Sequence, residues 1–153
     1  GGSNALAIQG CEEILSAADK KNFEVICCAV GTGGTIAGII NASSDAQHII
    51  GHAALKTDYL SAEVAQHTKR RNWHITSEDV FGGYGHFNAE LLDFIAATEA
   101  THGLPLDPVY TGKAYYRLCQ HIQAGDFAPH SRILFIHTGG LQGHRPANPA
   151  QPA

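Results

Sequence analysis

The chain predicts an α/β fold in three layers, with helices on both sides of a mostly parallel sheet. Three observations carry that expectation. Short runs of strand-favouring residues alternate with segments of helical periodicity. The two strongest runs, 23–30 and 132–137, each empty into a glycine-bearing loop, 31–35 and 138–140. The length of 153 residues and an apolar fraction of 44% suit one globular domain, or a large piece of a domain pair, and exclude disorder as the default.

Taken in order, Ser3 or Asn4 is placed to cap a first helix. Leu6, Ala7, Cys11, Ile14, Leu15 and Ala18 recur there at helical spacing, Glu12 and Glu13 lie opposite, and Lys20, Lys21 and Asn22 close it. The central strand 23–30 follows, then its loop, a short helix from Thr35 to about Ala42 and a polar turn over 43–46. Residues 48–52 read as a second strand. A helix over 59–71 turns Leu60, Val64 and His67 inward and ends on Lys69, Arg70 and Arg71, cations that complement the negative end of a helix dipole. Residues 73–76 read as a third strand, and 81–86 as a glycine-rich loop. The periodic segment 88–102 gathers Leu91, Leu92, Ile95, Ala96 and Glu99 on one face and stops at Gly103. A proline-punctuated connection over 104–110, a helix over 112–124 and the strand 132–137 complete the domain. The domain proper is read as 1–143, and the Pro- and Ala-rich stretch 144–153 as a disordered tail.

Composition removes several functional classes. A net charge of −4 leaves no basic patch, so nucleic acid is not an expected partner. No apolar run approaches the roughly 18 residues of a membrane span, so no membrane is expected either. Cys11, Cys27, Cys28 and Cys119 form no Cys-x-x-Cys pair and read as reduced thiols of a cytoplasmic protein, with Cys27 and Cys28 on opposite faces of one strand. His48 and His52 stand four apart, as a helical zinc pair would, but on a strand, so no metal is expected. The chain contains no methionine, not even at position 1, which reads as a fragment or a processed chain.

The stretch from Val25 to Gly38 is where function concentrates. A strand runs into Gly31, Thr32, Gly33, Gly34 and Thr35, and a helix starts there. Glycines let backbone N–H groups approach an anion, and a helix N-terminus adds partial positive charge. No Gly-Lys-Ser/Thr closes the loop as in a P-loop, and Gly38 falls beyond the position that Gly-x-Gly-x-x-Gly requires. The loop alone reads equally as a phosphate cradle or as a tight structural turn. Ligands of parallel sheets collect at the carboxyl ends of strands, and both glycine loops lie there, facing one crevice, which favours the binding-site reading.

Four segments, in order, carry a resemblance: Gly1-Gly2-Ser3-Asn4, Val30-Gly31-Thr32-Gly33-Gly34-Thr35, Leu106-Asp107-Pro108-Val109-Tyr110-Thr111-Gly112-Lys113-Ala114 and Ile133-Leu134-Phe135-Ile136-His137-Thr138-Gly139-Gly140. Together they resemble the C-terminal half of the D-cysteine desulfhydrase and 1-aminocyclopropane-1-carboxylate deaminase family. These are pyridoxal 5′-phosphate enzymes of fold type II, the tryptophan-synthase-β type. The resemblance covers nearly all of the chain except its tail, and the Asp-Pro-Val-Tyr-Thr-Gly-Lys-Ala block is its most specific part.

The resemblance implies roles. Gly31, Thr32, Gly33, Gly34 and Thr35 would hold the cofactor phosphate. Tyr110 would stack on the pyridine ring at the catalytic centre, Thr138 would meet the ring nitrogen beside Gly139, and Tyr84 would face the substrate. His137 abuts this site as a strand-end residue. Thr111 and Thr138 form the desulfhydrase-like combination, where the deaminases would have Glu and a non-hydroxyl residue. The implied reaction is β-elimination and deamination of a small amino acid such as D-cysteine, giving sulfide, ammonia and a 2-oxo acid; opening of the cyclopropane amino acid is the alternative.

The family's Schiff-base lysine lies in its N-terminal half. Lys20, Lys21, Lys56, Lys69 and Lys113 have no such context, so this chain by itself is expected to be inactive. The implied partners are a missing N-terminal half or second chain, the amino-acid substrate, and a second copy in a homodimer. A non-catalytic module binding a phosphorylated ligand is the competing class. A dehydrogenase domain ranks last, because Asp45 comes too early and Asp58 too late for the acidic residue expected about 20 residues after the loop.

Overall fold

The structure, a computed structural model, describes residues 4–54, 58–77, 81–82 and 85–139. Its elements are α1 (Ala5–Cys11), α2 (Ala17–Asn22), β1 (Val25–Val30), α3 (Gly34–Ala42), β2 (His48–Ala53), α4 (Leu60–Ala65), β3 (Trp73–Thr76), α5 (Ala89–His102), α6 (Thr111–Gln123) and β4 (Ile133–Ile136). The four strands form one sheet in the order β3-β2-β1-β4, and every pairing is parallel. Cys27, midway along β1, pairs with Ile50 on β2 and Phe135 on β4.

β1 is buried from end to end because both faces of the sheet are covered. Ile26, Cys28 and Val30 point into one core with Ile36, Ile39 and Ile40 of α3, Val64 of α4 and Ile8 of α1. Val25 and Cys27 point into the other with Ile50 and Leu118 of α6. The adjacent cysteines therefore serve opposite faces, as strand alternation requires. Leu91 and Ile95 of α5 form a third cluster with Leu106 of the following connection, and Tyr115 and Tyr116 of α6 pack against it. The expected three-layer α/β architecture is the one observed.

Three local expectations need correction. The single helix expected over the first 22 residues is two helices. The Ser16 hydroxyl accepts from the Asp19 amide at 3.1 Å and the Asp19 carboxylate accepts from the Ser16 amide at 2.9 Å, a capping box that starts α2 afresh. Asn4 does cap α1, but Leu6 is 79% exposed instead of packed. α4 is only six residues long, so Lys69, Arg70 and Arg71 lie beyond it and do not complement its dipole. Side-chain bonds hold that segment open: Asn41 donates to the His67 carbonyl and Arg70 pairs with Asp45 at 2.9 Å, both across long sequence separations, and the Trp73 indole donates locally to the Arg70 carbonyl. On α5 the buried stripe is Leu91, Ile95 and Thr98; Leu92 and Ala96 face outward.

The tail reading for 144–153 lies outside the described residues. Among the described residues no helix is long and apolar enough to cross a membrane.

Candidate functional site

The site forms where β1 ends. After Val30 the chain turns through Gly31 and Thr32 to Gly33, whose φ of +95° is in the left-handed region that favours glycine. A Cβ on Gly33 would also stand 2.8 Å from Val64 Cγ2, so α4 packs against bare backbone there. α3 begins at Gly34, and no side chain caps it. Its leading amides and its positive dipole end are thus left to whatever enters the loop.

A cavity of about 240 Å³ opens at this point. Residues 31–35 form its floor, and Tyr110 and Thr138 close it from two distant parts of the chain. Tyr110 stands directly over the loop: a Cβ on Gly31 would lie 3.4 Å from its ring. The two glycine loops expected to share a crevice do so through Thr138. Among the described lining residues none carries a charge, and the polar groups of the lining are backbone amides and the hydroxyls of Thr32, Thr35, Tyr110 and Thr138. Gly139 is next to Thr138 with φ +92°. Tyr84 and Gly140 lie outside the described residues.

Two residues that composition and periodicity passed over stand behind the lining and brace the segments that carry Tyr110 and Thr138. Asp107 is 3% exposed, and one of its carboxylate oxygens accepts from the amides of Val109 at 2.9 Å and Tyr110 at 2.7 Å. The other accepts from the amide of Thr111 at 3.0 Å and from the Thr111 hydroxyl. The Thr111 hydroxyl in turn accepts from the Asp107 amide at 3.0 Å. This carboxylate satisfies the first amide of α6 and the two amides before it, and fixes the backbone that carries Tyr110. The signal was present in the sequence as Asp followed by Pro just before a helix.

The second residue is His137, one position past β4. Its Nε2 is 2.7 Å from the Pro105 carbonyl oxygen, and its Nδ1 is 3.1 Å from the Gly139 amide nitrogen. Periodicity shows a strand end here and nothing of these bonds, because Pro105 is 32 residues away.

Around the site the chemistry is quiet. Burial pushes the Cys27 and Cys28 thiols up to about 12, so both are protonated and inert. Cys11 Sγ lies 4.0 Å from the Thr35 hydroxyl, where α1 packs on α3. The histidines gather elsewhere, on the α6 side of β2 and β3: His48 Nε2 meets His74 Nδ1 at 2.6 Å, and the ring centroids of His52 and His121 are 6.2 Å apart. Among the described residues no group of three or more His, Cys, Asp or Glu is arranged to hold a metal ion. His48 and His52 sit on a strand, as expected.

No family model matches the chain. Comparison with curated proteins finds relatives along nearly its whole length. A Pyrococcus abyssi protein provisionally named 1-aminocyclopropane-1-carboxylate deaminase is 34% identical over 152 residues, spanning 89% of this chain and 46% of its own. The mitochondrial bifunctional D-cysteine desulfhydrase/1-aminocyclopropane-1-carboxylate deaminase of Arabidopsis thaliana is 33% identical, spanning 94% of this chain and 41% of its own. Among solved structures, a crystal structure of an ACC deaminase homologue superposes with a TM-score of 0.72 at 29% identity, covering 90% of this chain and 45% of that one. The chain spans about half the length of the relatives it matches.

Proposed function

Because the chain belongs to the 1-aminocyclopropane-1-carboxylate deaminase and D-cysteine desulfhydrase family, we propose that its cavity is the pyridoxal 5′-phosphate site of an enzyme that eliminates a β-substituent from a small amino acid and deaminates it. The single observation that carries this reading is the convergence of residues 31–35, Tyr110 and Thr138 on one cavity at the carboxyl ends of β1 and β4.

The residues fit the group. An uncapped helix start behind a glycine at φ +95° suits a phosphate, and no acidic side chain among the described lining residues would repel it. An aromatic ring over that floor suits a flat heterocycle. When bound, the cofactor supplies an electron sink, made milder where its ring nitrogen meets a hydroxyl instead of a carboxylate. The amides of Gly33, Gly34 and Thr35, with the hydroxyls of Thr32 and Thr35, hold the phosphate. Tyr110 covers one face of the ring and keeps bulk water from it, and Asp107 keeps Tyr110 in place. Thr138 orients the ring through its nitrogen. Tyr84 faces the substrate in this reading.

Among the described lining residues there is no lysine. Lys113 is buried in the first turn of α6, 3% exposed. The reading therefore assigns the covalent anchor and the base for the α-proton to the part of the relatives that this chain does not match. It also assigns a homodimer. The free state of all four cysteines fits a reducing compartment, which supports a cytoplasmic location, although the Arabidopsis relative is mitochondrial by name.

The preference for D-cysteine over the cyclopropane substrate rests on Thr138 alone. Thr111 is fully buried, with its hydroxyl taken up by Asp107, and does not line the cavity. The test is to supply the cofactor-loaded full-length protein with D-cysteine and with 1-aminocyclopropane-1-carboxylate, reading sulfide and 2-oxo acid. Faster sulfide release supports the desulfhydrase reading. Faster 2-oxo acid formation from the cyclopropane substrate supports the ring-opening alternative, and neither product refutes both.

A further inference from the structure

We propose that His137 is a positioning residue: its imidazole ties the turn bearing Thr138 to the segment bearing Tyr110, setting the width of the cavity between them. The inference deepens the cofactor reading above and rests on it for its functional half.

The geometry fixes the chemical state of the ring. Nε2 faces the Pro105 carbonyl oxygen, which can only accept, and Nδ1 faces the Gly139 amide, which can only donate. Both bonds hold together only if the imidazole is neutral, with its proton on Nε2 and its lone pair on Nδ1. Both partners are backbone atoms, so no side-chain flip offers another solution.

Each bond reaches a different wall. The Gly139 bond folds the chain back immediately after Thr138, at a glycine whose φ is +92°. The Pro105 bond reaches the connection two residues before Asp107, with the fully buried Leu106 between them. Asp107 then holds the amide of Tyr110. Three hydrogen bonds, at Gly139, Pro105 and Tyr110, thus connect the turn bearing Thr138 to Tyr110, with the backbone from Pro105 to Asp107 joining the last two. Thr138 itself is exposed, and β4 stops at Ile136, so the strand ladder does not hold it. The His137 ring, bonded to both sides, ties the turn to the connection across this gap.

Three substitutions separate the two bonds. In His137→Gln the amide nitrogen can overlay Nε2 and keep the Pro105 bond, but no acceptor remains at the Nδ1 position. In His137→Asn the amide oxygen can overlay Nδ1 and keep the Gly139 bond, but the side chain falls short of Pro105. His137→Leu removes both. The first readout needs no ligand: hydrogen exchange of the Gly139 amide, with the 15N shifts of the His137 ring reporting the tautomer. We expect the Nε2-protonated tautomer in the native protein, Gly139 exchange about 10-fold faster in the Gln and Leu variants, and near-native exchange in the Asn variant. The second readout is affinity for pyridoxal 5′-phosphate, expected to weaken about 3-fold with one bond lost and about 10-fold with both.

Unchanged Gly139 exchange in His137→Leu overturns the tie. Faster exchange with unchanged affinity in all three variants overturns its positioning role. A native protein that shows the exchange pattern but does not bind the cofactor refutes the cofactor reading while leaving the tie intact. Far-ultraviolet circular dichroism of each variant separates these results from simple unfolding.

Discussion

Asp107 and Gly33 do opposite work at the same cavity, one by making bonds and one by lacking a side chain. Asp107 gathers three backbone amides and a hydroxyl in a place water does not reach. Asp107→Ala is expected to cost about 2 kcal/mol in urea unfolding, since it orphans the first amide of α6 and the two amides before it, and to weaken cofactor binding by freeing Tyr110. Asp107→Asn keeps one acceptor oxygen and should fall between. Gly33→Ala should cost about 1–3 kcal/mol, because alanine is strained at φ +95° and its methyl meets Val64. These two residues were unequally legible. Gly33 announces itself in a glycine-rich turn between a strand and a helix. Asp107 sits inside a connection whose apolar periodicity is nil; the Asp-Pro pair before a helix hints at a cap, but which amides it reaches shows only in the structure.

At the scale of elements, β2 and β3 carry a store of pH sensitivity away from the cavity. Burial, then the nearby His121, His74 and Arg117, hold His52 down at about 3. Burial also lowers His48 and His74, the latter with help from His48 and His121. Unfolded, these side chains titrate near 6.5. Above that value neither state takes up a proton there and the stability is fully present. As pH falls from about 6.5 toward about 3, the unfolded chain binds protons that folded His52 refuses, so stability falls. Urea unfolding between pH 7 and 4.5 should show that loss, and His52→Gln should flatten it by up to about 1.4 kcal/mol per pH unit. The neighbouring strand β1 makes a chemical prediction. At pH 8 in the native state Cys27 and Cys28 should resist iodoacetamide, with labelling confined to Cys11 and, more slowly, Cys119; peptide mass spectrometry reads this.

The elements also show what periodicity can and cannot reach. β1 and its loop were legible because a continuous apolar run from Val25 to Val30 ends on glycine, and α5 because Asn88 and Gly103 mark its two ends. The early end of α4 was not legible. Its causes are Asn41 to His67 and Arg70 to Asp45, partners 25 or more residues apart. The break between α1 and α2 could have been read from Ser16 and Asp19, a capping pattern overlooked beneath a helical repeat of apolar residues. On α5 the exposed Leu92 mimicked core because α6 covers only a narrow stripe of it.

At the scale of the whole molecule, three stretches far apart in sequence meet at one place because the sheet is parallel. β1 and β4 run side by side, so both their carboxyl ends open on the same edge, and α6 delivers Tyr110 from the covering layer. The most direct test of the account compares binding of pyridoxal 5′-phosphate with that of pyridoxal, which has the same ring and aldehyde but no phosphate. The account predicts that the phosphate form binds at least ~10-fold more tightly and that Gly33→Ala abolishes the difference, because the start of α3 recognises the phosphate. Equal affinity for the two compounds, or a preference that survives Gly33→Ala, would contradict it.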